Sequence, residues 1–180
     1  MEIVSTNVNI SWLVPLFPLL GFLFCGLLGS RLPRKVVGAV ATLVVFLVPL
    51  VVVRFAMMAG NWAQHAFIDE KAPANSYRNS ITCINSAYNK RCFNDGYHIG
   101  HHLKQTRHWT DMPDEFKCNV AVYREQGALV FSGIDFFGVW LLLMLKRYDE
   151  LARRTVHLGP EPRSNDELVA LMRSRTRSIA

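Results

Sequence analysis

Three of the six histidines in this 180-residue chain fall within five positions, in the stretch NDGYHIGHH from Asn94 to His102. They are His98, His101 and His102. On a helix the offsets i, i+3 and i+4 share a face, so the three imidazoles converge on one point or on two neighbouring points. Imidazole suits iron, zinc and copper. Three protonated rings this close would repel, so a bound metal is the natural way to make the cluster favourable. A ligating histidine hands its second N–H to a carboxylate, carbonyl or water, and Asp95 and Tyr97 are the adjacent candidates for that supporting role. Asn94-Asp95-Gly96 reads as the turn from which the helix starts. The plainer alternative is a solvent-exposed histidine face with no metal.

Upstream, NWAQHAF places Asn61 and His65 at i, i+4 directly after an apolar run. An amide and an imidazole would then stand at a membrane–water boundary, where a lone histidine is ordinarily just an interfacial residue. His108, in TRHWTDMP, is a weaker candidate, and His157 reads as solvated surface.

The elements that must position these residues begin with two apolar runs. No charged residue occurs from Ile3 to Ser30, whose core is WLVPLFPLLGFLFCGLLG, Trp12 to Gly29. The turn RLPRK follows, and then VVGAVATLVVFLVPLVVVRFAMMAG from Val36 to Gly60, charged only at Arg54. A spanning helix needs about 20 apolar residues, so both runs read as transmembrane helices, near 12–29 and 36–60. Pro15 and Pro18 fall in the first turns, where a missing N–H costs least, and Pro49 should kink the second helix. With Glu2 and no basic residue ahead of it, the first run is a poor signal peptide. A third stretch, Gly127 to Lys146, is divided by Asp135. Its uninterrupted part would be about 15 Å long as a helix, too short to span, so an interfacial helix near 128–146 is expected, with Trp140 near the headgroups.

The remainder is polar. Residues 69–95 read as loop with short helical or extended pieces. Residues 159–180 read as a basic, partly disordered tail in which SNDELVALMRSR can form one amphipathic helix. Ser164 or Asn165 would be its N-cap, and Leu168, Leu171 and Met172 would share a face. The expected fold class is therefore mainly α: two N-terminal transmembrane helices over 1–60, then a helical, membrane-associated polar domain over 61–158, then the tail. The chain carries 20 Lys+Arg against 14 Asp+Glu. That excess, spread over a long polar region, is too weak to argue for nucleic acid and suits a domain held near anionic lipid. The four cysteines form no CxxC pair, which argues against a zinc ribbon and for reduced, packed thiols.

Gly96-Tyr97-His98-x-x-His101-His102 resembles the last histidine box of membrane fatty acid desaturases and related hydroxylases, and Asn61-x-x-x-His65 is similar to the Asn/His motif that follows their last spanning helix. The resemblance covers about 51–158. It implies a non-haem di-iron site on the cytoplasmic face of an integral membrane protein, in a bacterial inner membrane. Such a site activates O2 and removes hydrogen from a fatty acyl substrate, with electrons from a ferredoxin, cytochrome or flavoprotein. Carried over by position, His65, His98, His101 and His102 would be iron ligands, and Asn61 would reach iron through a water. No catalytic residue beyond these ligands is implied.

The departure from that pattern is the absence of any histidine before His65, where the family has two earlier boxes. The expectation is an incomplete or truncated desaturase-like oxidoreductase, with a partner chain supplying the missing histidines. Residues 13–43 also resemble the N-terminus of the antiporter-like membrane subunit of respiratory NADH:quinone oxidoreductase, without its charged intramembrane residues. Topology adds a conflict. RLPRK favours the cytoplasm, which puts residue 61 onward outside if both runs span, and a junction of two unrelated genes near Leu43–Val53 would explain it. The alternatives to an enzyme are a respiratory membrane subunit fragment and a non-enzymatic membrane protein.

Overall fold

The computed structural model describes residues 13–160 and 162–177. Trp12, the expected start of the first helix, and the last three residues of the tail lie outside them. The chain divides into two compact units, Met1–Met57 and Met58–Ala180.

In the first unit, helix α1 (Leu13–Leu28) packs against α2 (Arg34–Thr42). Gly21 eases the close approach of α1 to the turn after α2, because a Cβ there would stand 3.2 Å from Val44 Cγ1. Helix α2 continues through a π-helical turn, Leu43–Leu47, into α3 (Val48–Gln64). Pro49 lies just beyond that turn. It has no N–H to donate back along the helix, and the wider i→i+5 pattern ahead of it accommodates the missing bond.

The continuous helix Arg34–Gln64 has 31 residues and is long and apolar enough to cross a membrane. At 1.5 Å per residue it is about 46 Å long, against about 30 Å of hydrocarbon. Two such helices were expected, and among the described residues there is one. The described part of the first run is a 16-residue helix, about 24 Å. It stops at Gly29, where Gly29–Arg31 tightens into a 3₁₀ turn before Pro33.

The second unit is built on two parallel strands, with α4 (Ser76–Asn79) leading into the first. Strands β1 (Ile81–Ile84) and β2 (Leu129–Ser132) pair in the register Ile81↔Leu129 to Ile84↔Ser132. Parallel strands need a crossover. Here it comprises α5 (Ala87–Arg91), α6 (His98–Leu103), α7 (Met112–Cys118) and α8 (Val120–Glu125), and it carries the whole histidine box. Side chains alternate across a strand. Ile81, Cys83, Leu129 and Phe131 join one core with Ala63 and Phe67. Val130 faces a second core with Ile99, Phe116 and Tyr123. The first core is closed by α9 (Phe136–Met144), α10 (Tyr148–Arg154) and α11 (Asn165–Arg175) through Val139, Leu151, Leu168 and Met172.

Two readings of the sequence are corrected. The stretch 128–146 is not one helix, since residues 129–132 are strand. Gly127 and Gly133, at φ 70° and 69°, bracket it in the left-handed region that glycine tolerates best. The helix starts only after Asp135, which N-caps it by accepting from the Gly138 N–H at 2.8 Å. In the tail the expected amphipathic helix forms over Asn165–Arg175, and it is packed where partial disorder was expected. Leu168 and Met172 are buried, and Ser164 and Glu167 form a capping box at the start of α11. Ser164→Ala should therefore cost about 1 kcal/mol, while Asn165→Ala should cost less than half of that. Urea denaturation of both variants checks this.

Candidate metal centre

His65 lies one residue beyond α3. Its flanking residues fix it in place, because Ala63, Ala66 and Phe67 are buried in the first core. The box is fixed from the other side by a clip on β1. The Cys83 N–H donates to the Gly96 carbonyl at 2.8 Å, the Gly96 N–H to Asn89 Oδ1 at 2.9 Å, and Asn89 Nδ2 to the Cys83 carbonyl at 2.9 Å. Gly96 has no space for a Cβ against those two partners. Helix α6 then starts at His98. Ile99 is fully buried, and Arg107 Nη1 donates to the Gly100 carbonyl at 3.3 Å. Arg107 is in turn paired with Glu115, which accepts from the buried Tyr123 hydroxyl at 3.0 Å.

These supports bring three Nε2 atoms into a triangle. His65 to His98 is 3.2 Å, His65 to His102 is 3.3 Å, and His98 to His102 is 3.1 Å. The tautomer of His65 follows from its other nitrogen. Nδ1 lies 3.0 Å from the Asn79 carbonyl oxygen, which can only accept, so Nδ1 carries the proton and Nε2 presents its lone pair. Three ring nitrogens at these separations can share one proton or one cation, and only a cation satisfies all three lone pairs. The spacing fits. An ion about 2.1 Å from each nitrogen would have donors about 3.0 Å apart at 90° and about 3.4 Å apart at the tetrahedral angle. The three sides fall between these limits. Among the described residues this is the group of His, Cys, Asp or Glu side chains placed to hold a metal ion.

The other sequence candidates lie elsewhere. His101 is exposed, its ring stacked on His98 at 5.8 Å between centroids, and its nitrogens are outside the triangle. It lines a separate cleft of about 390 Å³ with Tyr97, Arg107 and Trp109. The reason is angular. At about 100° per residue, His102 lies about 40° to one side of His98 and His101 about 60° to the other, and His65 approaches between His98 and His102. Asn61 is exposed on α3. Asp95 accepts from Gln64 Nε2 at 3.1 Å and from the Tyr88 hydroxyl at 2.9 Å, and Tyr97 packs on Phe116. Among the described residues, neither Asp95 nor Tyr97 hydrogen-bonds a histidine ring. His108 pairs with Thr110 at 2.8 Å, and His157 is exposed. The sequence reading missed Asn79, which orients His65 through a backbone carbonyl and so leaves no side-chain signal. It also missed Phe136, whose ring lies 5.9 Å from that of His98.

His98 is buried, and its Nδ1 has no hydrogen-bond partner among the described residues. Burial first, and then the neighbouring rings of His102, His65 and His101, push its pKa down to about 3. The His102 pKa is lowered by the same kind of causes, burial first. Both rings are thus kept neutral, the form in which an imidazole can ligate a metal. In the metal-free protein this has a consequence for stability. The unfolded chain protonates His98 near 6.5, while the folded chain resists protonation down to about 3. Between those values the unfolded state binds more protons, so stability falls as pH falls. The full contribution is present above about 6.5 and is lost progressively toward pH 3. Denaturation midpoints in chelator at pH 7.5, 6, 5 and 4 should show this slope, and His98→Gln should flatten the part above pH 5, where carboxylates contribute least.

Sequence comparison gives one family. The model for fatty acid desaturases matches residues 3–134. The match runs through residues 13–43, so the apolar front and the histidine box fall in one family, and no comparison supports the likeness of the front to a respiratory subunit. No curated protein and no solved structure matches the chain. A family match over well over half of its length, from the apolar helices through β2, means that this chain belongs to the fatty acid desaturase family.

Proposed function

We propose that the chain is an integral membrane, iron-dependent oxidoreductase acting on fatty acyl chains, with His65, His98 and His102 as ligands of one iron. The observation that carries this reading is the Nε2 triangle, closed to 3.1–3.3 Å by one residue just past the end of α3 and two from α6. When bound, iron would supply the oxidising chemistry that the family uses on acyl C–H bonds. The chain's own residues do the rest. Asn79 holds the His65 tautomer, burial keeps His98 unprotonated, and Phe136 walls one side of the ring. His101 and Asn61 are assigned to outer positions, His101 toward a second ion and Asn61 through a water. A di-iron centre needs more donors than these, and a partner chain bearing histidines would supply them. Electrons would come from a ferredoxin or cytochrome, which requires the site on the cytoplasmic side.

Metal analysis of detergent-purified protein tests the proposal. About one iron per chain, or more when a histidine-bearing partner co-purifies, supports it. Zinc alone, or no metal in folded protein, sinks it in favour of a non-enzymatic membrane protein. Labelling a single cysteine placed at Lys104 decides the side, and an outward-facing label excludes the cytoplasmic arrangement.

A further inference from the structure

The family match ends at residue 134, yet α11, far beyond it, reaches back to the corner that carries His65. We propose that Asn79, clamped by Asp69 and Arg175, is a positioning residue of the centre that selects the metal-binding tautomer of His65. The inference rests on the metal reading above and names what controls that site.

The Asn79 side chain closes the loop after His65 on itself. Its Oδ1 accepts from the Asp69 N–H at 2.7 Å, and its Nδ2 donates to the Ala72 carbonyl at 2.6 Å and the Asn75 carbonyl at 3.0 Å. Its backbone carbonyl is then left facing His65 Nδ1. Asp69 is held by two cations, Arg78 at 3.1 Å and Arg175 at 3.6 Å. Arg175 comes from the last turn of α11, with only 12% of its side chain exposed. Two further bonds fasten the same corner. The Ile68 N–H donates to the Arg175 carbonyl at 3.2 Å, and Arg175 Nη1 donates to the Arg78 carbonyl at 3.4 Å.

The clamp matters because His65 Nδ1 has a competitor. The Ser80 hydroxyl lies 3.4 Å from the same nitrogen. A carbonyl can only accept, which forces Nδ1–H and bares Nε2. A hydroxyl can also donate, which would move the proton to Nε2 and block the ligand. The geometry favours the carbonyl by a few tenths of an ångström, and the Asp69–Arg175 clamp maintains that difference. Supporting contacts of this kind are typically worth 10- to 100-fold in metal affinity.

The test uses the full chain in detergent, with ferrous iron as the probe and ¹⁵N-histidine NMR of the metal-free protein as the second readout. In the wild type His65 should be the Nδ1–H tautomer. Arg175→Ala, and Asp69→Asn as a shape-preserving second variant, should give a mixture of tautomers at His65 and weaken iron binding about 10-fold or more. Arg175→Lys should retain most of the affinity. Adding Ser80→Ala to Arg175→Ala should restore the Nδ1–H form by removing the competing donor. An unchanged His65 tautomer in both folded variants overturns the proposal, and so does a loss of affinity that leaves the tautomer intact. If the wild type binds no iron, the functional reading fails, and the tautomer comparison still decides the positioning role.

Discussion

His98→Ala is expected to abolish metal binding, lowering iron affinity by well over about 100-fold, since removal of a ligand exceeds the 10- to 100-fold effect typical of supporting residues. His98 is the most buried corner of the triangle, and its Nε2 lies within 3.2 Å of both other donors. Its loss leaves two nitrogens, 3.3 Å apart, on one side of any ion. His102→Ala and His65→Ala should act alike, because each removes a corner. His101→Ala should change affinity for this ion by less than about 10-fold, since its ring lies outside the triangle and can contribute only through its neighbour. His157→Ala should have no effect. Chelator competition with ferrous iron, read beside metal content, separates these cases. Equal retention by the His98, His102 and His157 variants would remove the site assignment altogether.

The second large effect is expected at Gly96. An added methyl there meets Asn89 Oδ1 and the carbonyl of Cys83. The latter is backbone of β1, which is paired to β2 and packed on both faces, so it has nowhere to move. Gly96→Ala should break the Asn89 clip and displace the start of α6, at a cost of about 3 kcal/mol or more. Metal binding should fall with it, because the clip is what aims His98. Gly100→Ala is the control. Its methyl would lie 3.0 Å from Glu115 Oε2 and 3.3 Å from Met112 Sδ, side chains able to shift, so a smaller loss is expected. Thermal denaturation with parallel metal analysis reads both, and a Gly96→Ala protein within about 0.5 kcal/mol of wild type would show that the clip is dispensable.

Much of the local structure was written in residue order. The i, i+4 spacing of His98 and His102 carries its own geometry, because a helix puts those offsets on one face whatever surrounds it. The apolar run before His65 and the N-cap at Ser164 are equally local. The tail was harder to read, because the burial of Leu168 and Met172 depends on a core assembled from strands and helices far away in sequence. The strand in 129–132 was hidden for the same reason. A short apolar run becomes a strand only when a partner such as β1 offers it a ladder.

By itself, the sequence determined that this chain has a helix long and apolar enough for a membrane and a His98/His102 pair on one helix face. It also supplied His65, one residue past that helix. Tertiary structure decided which histidine rings come together. His101 and His102 are adjacent and chemically identical, and only the direction from which His65 arrives distinguishes them. It decided as well that Asp95 serves Gln64 and Tyr88 while a backbone carbonyl orients His65. The physical reason is that a ligand set is a matter of distance and lone-pair direction. Residues 33 and 37 positions apart acquire these only when the two cores close around them.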